Sequence, residues 1–265
     1  MYKLVVMDVD DTIVMSGKKI SSKVKEAVKK VQQKGIKVTL ASGRMYQTMR
    51  SVAQELEIKL PLISCNGAMV RDEEKIFSCA LLDKKAAKDI LYFFERKNKV
   101  LQMYTSEGLF TKKKCERTWR LEQGEGLPCR VIEEEAYASF YQNDLLKFLI
   151  RLESDEVQQY IDELQEFFGS RISAALSHNF YIEITRQGIN KGSALALLAG
   201  QLGIDRGAVL AIGDSPNDKK MIEWAGLGIA MGNASVEVKL IADKVTLPIE
   251  EDGVAEALYK YILSS

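Results

Sequence analysis

Residues 3–12 read Lys-Leu-Val-Val-Met-Asp-Val-Asp-Asp-Thr, and this stretch decides the fold. A short apolar run that stops at acidic residues is typical of a buried parallel strand whose carboxyl end opens on a site. Ligands of open parallel sheets bind beyond those carboxyl ends. The carboxylates of Asp8, Asp10 and Asp11 repel one another unless a cation or another partner compensates them. The stretch therefore predicts a functional site directly after the first strand.

The flanking sequence alternates between strand patterns and amphipathic helix patterns. Strands are predicted at residues 3–7, 36–41, 61–65, 208–212 and 227–230. Helices are predicted between Ser21 or Ser22 and Gly35, from the second strand to about Leu56, at 190–202, from Pro216 and from about residue 252. This alternation is the signature of a parallel sheet with helical crossovers.

The middle of the chain follows a different pattern, which begins with a hairpin predicted at 68–71 and 75–80. Further helices are predicted at 84–97, 113–123 and 154–168, and strands at 99–104, 145–152, 171–177 and 180–184. Because these strands come in adjacent pairs, they favour an antiparallel sheet. The predicted fold class is α/β: a Rossmann-like parallel-sheet core, residues 1–82 and 186–265, with an inserted α+β domain, residues 83–185.

The overall composition argues against several classes of protein. Basic and acidic residues number 37 each in 265, which disfavours a chain built mainly to bind nucleic acid or an anionic membrane. The four cysteines show no Cys-x-x-Cys spacing and there is one histidine, so a structural zinc site is not expected. Since no apolar run reaches about 18 residues, no membrane span is expected, and we expect a cytoplasmic protein.

The acidic stretch after the first strand has two interpretations. A carboxylate such as Asp8 can attack phosphorus and form an aspartyl-phosphate, a known covalent intermediate. A second carboxyl, such as that of Asp10, can protonate the leaving oxygen and later deprotonate water. The same residues also fit a solvated acidic turn or a helix N-cap. The stretch alone does not decide between these interpretations.

Two further motifs lie at predicted helix starts. The hydroxyl of Ser42, with backbone N–H groups that Gly43 leaves accessible, would make a phosphate cradle, although a plain serine N-cap fits as well. Lys191 lies in the first turn of an apolar helix, where a cation opposes the helix dipole. A residue that breaks a local rule is often functional, and a phosphate or carboxylate would compensate this lysine. An exposed lysine is the alternative.

A fourth motif, Gly-Asp-Ser-Pro-Asn-Asp at residues 213–218, follows another predicted strand. Together with Asp8 and Asp10, the carboxylates of Asp214 and Asp218 would give the oxygen ligands that Mg²⁺ prefers. A capped loop is the alternative here. Each motif has an ordinary explanation, but together they supply a nucleophile, an acid/base, phosphate donors, a cation and metal ligands.

The order and spacing of these motifs resemble those of the haloacid dehalogenase (HAD) superfamily of phosphatases. The similarity covers Asp-x-Asp-x-Thr at residues 8–12, then Ser42, Lys191 and Gly-Asp-x-x-Asn-Asp at 213–218. Cys65-Asn66-Gly67-Ala68, the following hairpin and the run Asn190-Lys191-Gly192 look like the Cof-type subgroup. That resemblance implies a HAD-type core with a large α+β cap inserted between the second and third motifs.

The resemblance also implies a role for each motif residue. Asp8 would be the nucleophile and a metal ligand, and Asp10 the general acid/base that gives its backbone carbonyl to Mg²⁺. Lys191 would be the cation that neutralises the phosphoryl group while it pairs with the nucleophile. The other implied roles are phosphoryl binding by Ser42, Gly43 and Asn217, metal binding by Asp214, and support by Thr12, Asn66 and Asp218.

The function implied is a Mg²⁺-dependent phosphatase that acts on small organic phosphate monoesters, such as sugar phosphates or phosphorylated cofactors. Its partner would be a small phosphorylated metabolite, with no nucleic acid and no membrane, and the protein would be a monomer or small homo-oligomer. A phosphomutase of the same superfamily is the alternative. A phospho-accepting receiver module fits badly, because such modules lack a second acidic cluster and a large insert.

Substrate choice is expected to reside in the inserted domain. The candidate contacts are Tyr104, Lys112-Lys113-Lys114, Arg117, Trp119, Arg120, His178 and Tyr181. The lysine run also fits a solvated helix start, and His178 also fits a surface turn.

Overall fold

The computed structural model describes residues 1–15, 18–124, 126–177 and 180–264. Its chain divides into two compact units: Met1–Ser78 with Asn190–Ser265, and Cys79–Ile189. Residues 79–82 and 186–189 cluster with the second unit, whereas the predicted boundaries placed them with the first.

The strands and helices have the following bounds within the described residues. The strands are β1 (Leu4–Met7), β2 (Lys37–Leu40), β3 (Leu62–Ser64), β4 (Met69–Arg71), β5 (Ile76–Cys79), β6 (Gln102–Thr105), β7 (Leu109–Thr111), β8 (Cys129–Val131), β9 (Leu145–Arg151), β10 (Ile172–Ser177), β11 (Tyr181–Arg186), β12 (Val209–Gly213), β13 (Leu227–Ala230) and β14 (Lys244–Val245). The α-helices are α1 (Ser22–Gln33), α2 (Tyr46–Glu55), α3 (Lys84–Glu95), α4 (Glu116–Gly124), α5 (Glu134–Tyr137), α6 (Val157–Phe168), α7 (Lys191–Gln201), α8 (Lys219–Trp224), α9 (Val236–Ile241) and α10 (Gly253–Leu258). None of the described helices is both long enough and apolar enough to cross a bilayer.

The first unit is built on a parallel sheet with the strand order β14-β13-β12-β1-β2. Strand β1 is apolar throughout because the sheet is covered on both faces. Val5 and Met7 belong to the hydrophobic cluster that includes Val28 of α1. Leu4 and Val6 belong to the opposite cluster, which includes Leu195 and Leu198 of α7. The predicted α/β fold class with a parallel-sheet core is confirmed.

Strand β3 differs from the prediction, because it is not a full member of the parallel sheet. A single parallel bridge, between Ala41 and Ile63, joins it to the end of β2. Its pairing is with β4, antiparallel, in a separate sheet ordered β3-β4-β5. The chain reverses directly after β3 through the turn Cys65–Gly67 and pairs with β4, while the Ile63 carbonyl still accepts the N–H of Ser42.

The second unit contains a six-stranded sheet with the order β10-β11-β9-β6-β7-β8. Its neighbouring strands are antiparallel except for β7 and β8, which are parallel. One hydrophobic cluster joins Phe94 of α3 and Tyr160 of α6 to Phe148 of β9 and Ile184 of β11. The predicted α+β architecture of this segment agrees with these elements. The short elements β7, β8, α5, α9 and β14 were not predicted.

Candidate functional site

Three of the motifs lie at one edge of the parallel sheet. Asp8 directly follows β1, Asp214 directly follows β12, and Ser42 comes two residues after β2. The three strands are neighbours, in the order β12-β1-β2, and they run in the same direction. Since the carboxyl ends of parallel strands share an edge, these side chains gather where ligands of such sheets bind.

A buried ammonium lies between two buried carboxylates at the centre of the site. Lys191 Nζ donates hydrogen bonds to Asp8 Oδ1 and Asp218 Oδ1, each at 2.6 Å. The exposed fraction is 1% for Lys191, 4% for Asp8 and 0% for Asp218. Helix α7 begins with a capping box between Asn190 and Ser193, which fixes the helix start and therefore the lysine. The carboxylates compensate a cation that would otherwise oppose the helix dipole.

Asp218 ties the loop after β12 to this lysine. Its second oxygen, Oδ2, accepts hydrogen bonds from the backbone N–H groups of Asp214 and Ser215, each at 3.0 Å. A Cβ added to Gly213 would lie 2.6 Å from the Asp218 carboxyl carbon, so no larger residue fits without displacing it. Both oxygens of Asp218 are thus engaged by the protein itself.

Asp214 is oriented by two hydroxyl groups. Thr12 Oγ1 donates to Asp214 Oδ1 at 2.9 Å, and Ser215 Oγ donates to Oδ2 at 2.8 Å. The contact from Thr12 joins the loop after β1 to the loop after β12. Ligand oxygens of Asp8, Asp214 and Asp218 lie within 4.8 Å of one another, and among the described residues they form the one acidic cluster suited to a metal ion.

The electrostatics of this cluster fit a divalent cation. Burial, followed by the charges of Asp218 and Asp214, raises the pKa of Asp8 well above its usual value, although Lys191 opposes the shift. Burial and then Asp218 raise the pKa of Asp214 to about 7. Burial alone would lower the pKa of Lys191, but Asp218 and Asp8 outweigh it and raise that pKa. Three buried carboxylates thus face one buried ammonium, and a divalent cation would balance the excess negative charge.

Asn66 and Asn217 form a pair of amides next to Ser42. The Asn66 backbone N–H donates to the Ser42 carbonyl at 3.0 Å, and Asn217 Nδ2 donates to Asn66 Oδ1 at 3.1 Å. Asn66 Nδ2 and Asn217 Oδ1 are buried and have no hydrogen-bond partner in the protein. Gly43 lies beside Ser42 and is half-buried. Buried polar atoms left over at a site indicate a ligand or water that completes them.

The turn that carries Asn66 is strained. Cys65, Asn66 and Gly67 have φ angles of 49°, 54° and 93°, in the left-handed region that favours glycine. A Cβ on Gly67 would lie 2.4 Å from the Asn190 carbonyl oxygen, so the turn packs directly against the start of α7. Strain of this kind persists where the surrounding structure enforces it, often at functional sites.

Asp10 points to a different partner, which the sequence reasoning missed. Arg44 Nε donates to Asp10 Oδ2 at 2.9 Å, and Arg44 Nη2 donates to Asp10 Oδ1 at 2.6 Å. The side chain of Asp10 is therefore not among the three clustered carboxylates. The sequence did contain a signal for this pair: Arg44 directly follows Ser42-Gly43, close to a helix start. The helix dipole does not favour a cation there, so an acidic partner could have been expected.

The candidate substrate contacts that the structure describes in the second unit differ in their burial and partners. Tyr104 is buried, its hydroxyl donates to Gln102, and its ring lies 4.4 Å from Lys147 Nζ. Lys147 in turn forms a buried ion pair with Glu183. Tyr181 is half-buried at the start of β11, and Trp119 is exposed.

The lysine run has acidic partners within the same unit. Lys112 pairs with Glu95 and Glu134, and Lys114 pairs with Glu122. These pairs agree with the interpretation of a solvated helix start. His178 and the side chains of Arg117 and Arg120 lie outside the described residues.

Comparison with known proteins agrees with the motif resemblance. The family model for haloacid dehalogenase-like hydrolases matches residues 5–258. Phosphatase YwpJ of Bacillus subtilis (strain 168) is 32% identical over 98% of this chain and 100% of that protein. The 5-amino-6-(5-phospho-D-ribitylamino)uracil phosphatase YcsE of the same organism is 31% identical over 98% and 96% of the two chains.

A solved structure with the same fold extends the comparison. It is a haloacid dehalogenase-like hydrolase from Bacteroides thetaiotaomicron, with a TM-score of 0.84 and 31% identity over 98% of this chain and 99% of that one. The predictions of an enzyme and of this superfamily are confirmed. The chain belongs to the haloacid dehalogenase-like hydrolase family.

Proposed function

We propose that this protein is a Mg²⁺-dependent phosphatase that hydrolyses small organic phosphate monoesters through an aspartyl-phosphate on Asp8. One observation carries the proposal: Lys191 meets Asp8 and Asp218 in a buried cluster at the carboxyl end of β1, next to Asp214. A carboxylate with a fixed cation beside it can accept a phosphoryl group, because phosphoryl transfer requires mainly positioning and charge neutralisation.

In the first half-reaction, Asp8 attacks phosphorus and the bond between phosphorus and the leaving oxygen breaks. Lys191 holds Oδ1 of Asp8, so we assign the attack to Oδ2. Asp10 gives a proton to the leaving oxygen as that bond breaks, and the alcohol departs. The Lys191 ammonium offsets the negative charge on the phosphoryl oxygens.

In the second half-reaction, water attacks the phosphorus of the aspartyl-phosphate. Asp10, now ionised, takes a proton from that water, and the acyl-phosphate bond breaks. Orthophosphate leaves and the Asp8 carboxylate is restored. The protein thus ends with the same protons and charges with which it began.

The metal would be held by the carboxylates of Asp8 and Asp214 and by the backbone carbonyl of Asp10. Asp218 fits a supporting role, since Lys191 and two backbone N–H groups already engage both of its oxygens. When bound, Mg²⁺ would supply positive charge to the phosphoryl oxygens and neutralise the excess of buried carboxylates.

The phosphoryl oxygens would be bound by Ser42, Gly43 and the amide of Asn217, with Asn66 in support. The unpartnered Asn66 Nδ2 gives this pocket a buried donor. Turning both amides by 180° keeps the hydrogen bond between them and presents Asn217 Nδ2 instead. The pair can therefore offer a neutral N–H donor to an anion in either arrangement.

The names of several relatives support the proposed substrate class. YcsE and two further relatives from Bacillus subtilis are named 5-amino-6-(5-phospho-D-ribitylamino)uracil phosphatases. That substrate joins a phosphorylated sugar alcohol to a polar ring, which lies within the class proposed here. Substrate choice is assigned to the second unit, as the family resemblance implies.

The test is phosphate release from a panel of phosphorylated metabolites and p-nitrophenyl phosphate, with Mg²⁺ or with EDTA. Asp8→Asn is expected to reduce turnover by about 10⁴-fold or more, because the nucleophile is lost. Asp205→Asn, at an exposed carboxylate in the same unit, is the matched control and should retain activity. Turnover near the wild-type rate in Asp8→Asn would refute the nucleophile.

Labelled water separates hydrolysis from phosphoryl return to a sugar hydroxyl. Single-turnover reactions in ¹⁸O-water should place one labelled oxygen in each phosphate released. Phosphoryl transfer to a second hydroxyl with no label in phosphate would instead identify a phosphomutase.

A further inference from the structure

Arg44 donates hydrogen bonds to both oxygens of the Asp10 carboxylate, an arrangement called the fork below. The guanidinium donates through Nε to Oδ2 at 2.9 Å and through Nη2 to Oδ1 at 2.6 Å. Two parallel N–H···O bonds of this kind give geometric specificity as well as energy. The arginine therefore determines not only where the carboxylate lies but also how its plane is turned.

The backbone of Arg44 is fixed to the phosphate cradle. Its N–H donates to Ser42 Oγ at 3.1 Å, and its carbonyl accepts a hydrogen bond from the N–H of Cys65 at 2.8 Å. Arg44 thus links three parts of the site: the hydroxyl of Ser42, the strained turn that begins at Cys65, and the carboxylate of Asp10.

Packing encloses the side chain of Asp10 only partly, so polar contacts contribute to its orientation. It is 40% exposed, whereas that of Arg44 is 16% exposed. An aspartate that packing does not enclose can occupy more than one staggered rotamer, and restricting it costs conformational entropy. The fork selects the rotamer that faces Arg44.

Given the proposed phosphatase mechanism, on which this step rests, we propose that Arg44 is the positioning residue that orients the Asp10 carboxyl for proton transfer. The two bonds from Arg44 occupy one lone pair on each Asp10 oxygen, so the transferred proton sits on a remaining lone pair. In the first half-reaction this proton moves from Asp10 to the leaving oxygen as the bond from phosphorus to that oxygen breaks. In the second it moves from water to Asp10 as the acyl-phosphate is hydrolysed. Arginine stays charged throughout, so Arg44 cannot replace Asp10 as the acid.

The experiment compares leaving groups that differ in their need for a proton. An alkyl phosphate that the wild type hydrolyses releases a strongly basic alkoxide, whereas p-nitrophenyl phosphate releases a stable phenolate. The value of kcat/KM reports on steps up to the aspartyl-phosphate. Arg44→Met is expected to lower kcat/KM by about 10–100-fold for the alkyl phosphate, within the contribution of general acid catalysis, and by under about 3-fold for p-nitrophenyl phosphate.

Further variants separate positioning from a structural effect. Arg44→Lys keeps the charge but not the fork, and should recover only part of the alkyl phosphate rate. Arg50→Met removes an exposed ion pair with Glu73 from the neighbouring helix α2 and is the matched control, expected to change neither substrate. Vanadate inhibition of Arg44→Met should stay within about 2-fold of wild type, because binding of the phosphoryl group is retained.

A double-mutant cycle gives the decisive comparison. If Arg44 acts through Asp10, Asp10→Asn combined with Arg44→Met should be no slower with the alkyl phosphate than Asp10→Asn alone. Equal losses with both leaving groups, or additive losses in the double variant, would overturn the inference and assign Arg44 to direct substrate binding. A wild type with no Mg²⁺-dependent turnover of either compound would overturn the proposed function, and the inference with it.

Discussion

Lys191 shows at the scale of one residue how the site depends on charge compensation. Its ammonium contacts two carboxylates that are themselves almost fully buried. A buried ion pair contributes little net stability, because desolvation offsets much of the attraction. Removing one partner is different, because the remaining charges stay buried without compensation. The lysine is therefore a structural requirement of the substrate-free protein as well as a proposed participant in phosphoryl transfer.

Lys191→Met is expected to destabilise the protein by about 3–5 kcal/mol, because Asp8 and Asp218 lose their shared cation. Urea unfolding in the presence of EDTA measures this change. Lys220→Met is the matched control: its ion pair with Glu223 is exposed, and its loss should cost under about 1 kcal/mol. A loss below 1 kcal/mol in Lys191→Met would contradict the compensation described here.

At the scale of one element, the turn Cys65–Gly67 positions two parts of the site together. It holds Asn66 beside Ser42 and Asn217, and it packs against the residue that caps α7. Gly67 combines a positive φ with a close contact, whereas Gly35, after α1, has a positive φ in open space. The two glycines allow the conformational cost to be separated from the cost of contact.

Gly67→Ala is expected to cost more stability than Gly35→Ala and to reduce turnover. Both variants place a side chain at positive φ, at about 1 kcal/mol. The Gly67 variant must also displace the Asn190 backbone, which carries Lys191, at about 1–3 kcal/mol more. Denaturant unfolding and kcat measure the two effects. Equal destabilisation of both variants, with kcat unchanged, would show that the contact at Gly67 is unimportant.

At the scale of the whole molecule, the two compact units have separate hydrophobic cores. The clusters around the parallel sheet draw on the first unit, and the cluster under α3 and α6 draws on the second. The proposed metal ligands all belong to the first unit. Ligand binding stabilises the folded state that contains its site, so the effect of Mg²⁺ should be confined to that unit.

The two tryptophans report on the two units separately, since Trp224 lies in the first and Trp119 in the second. In Trp119→Phe, Trp224 fluorescence follows unfolding, and Mg²⁺ is expected to raise the thermal midpoint. A free Mg²⁺ concentration of 100 times the Kd corresponds to about 2.7 kcal/mol of added stability. In Trp224→Phe, the transition followed by Trp119 should not move. Adding Asp214→Asn to the first variant should abolish most of the shift. Equal shifts at both tryptophans would mean that the units unfold as one.

Some parts of this architecture follow directly from sequence pattern. The run Leu4–Met7 is apolar without interruption because both faces of its strand are covered, and Asp8 ends it where the chain leaves the sheet. Ser21 caps α1 as expected, and its side chain accepts the N–H of Val24. Strands β7 and β8 were not predicted, because three residues are too few to show a clear strand pattern. These two strands depend on neighbouring strands for their hydrogen bonds.

The sequence by itself determined the fold class, the family and the identity of the residues at the strand ends. The apolar pattern of a strand covered on both faces is local, and the order and spacing of the motifs can be read directly from the chain. The motif resemblance implied the pair between Lys191 and Asp8, but the tertiary structure alone decided two other charge contacts. Asp218 contacts Lys191 through one carboxylate oxygen and backbone N–H groups through the other. Asp10 binds Arg44. Such pairings depend on side chains that reach across loops from different strands, and no pattern of neighbouring residues encodes that distance.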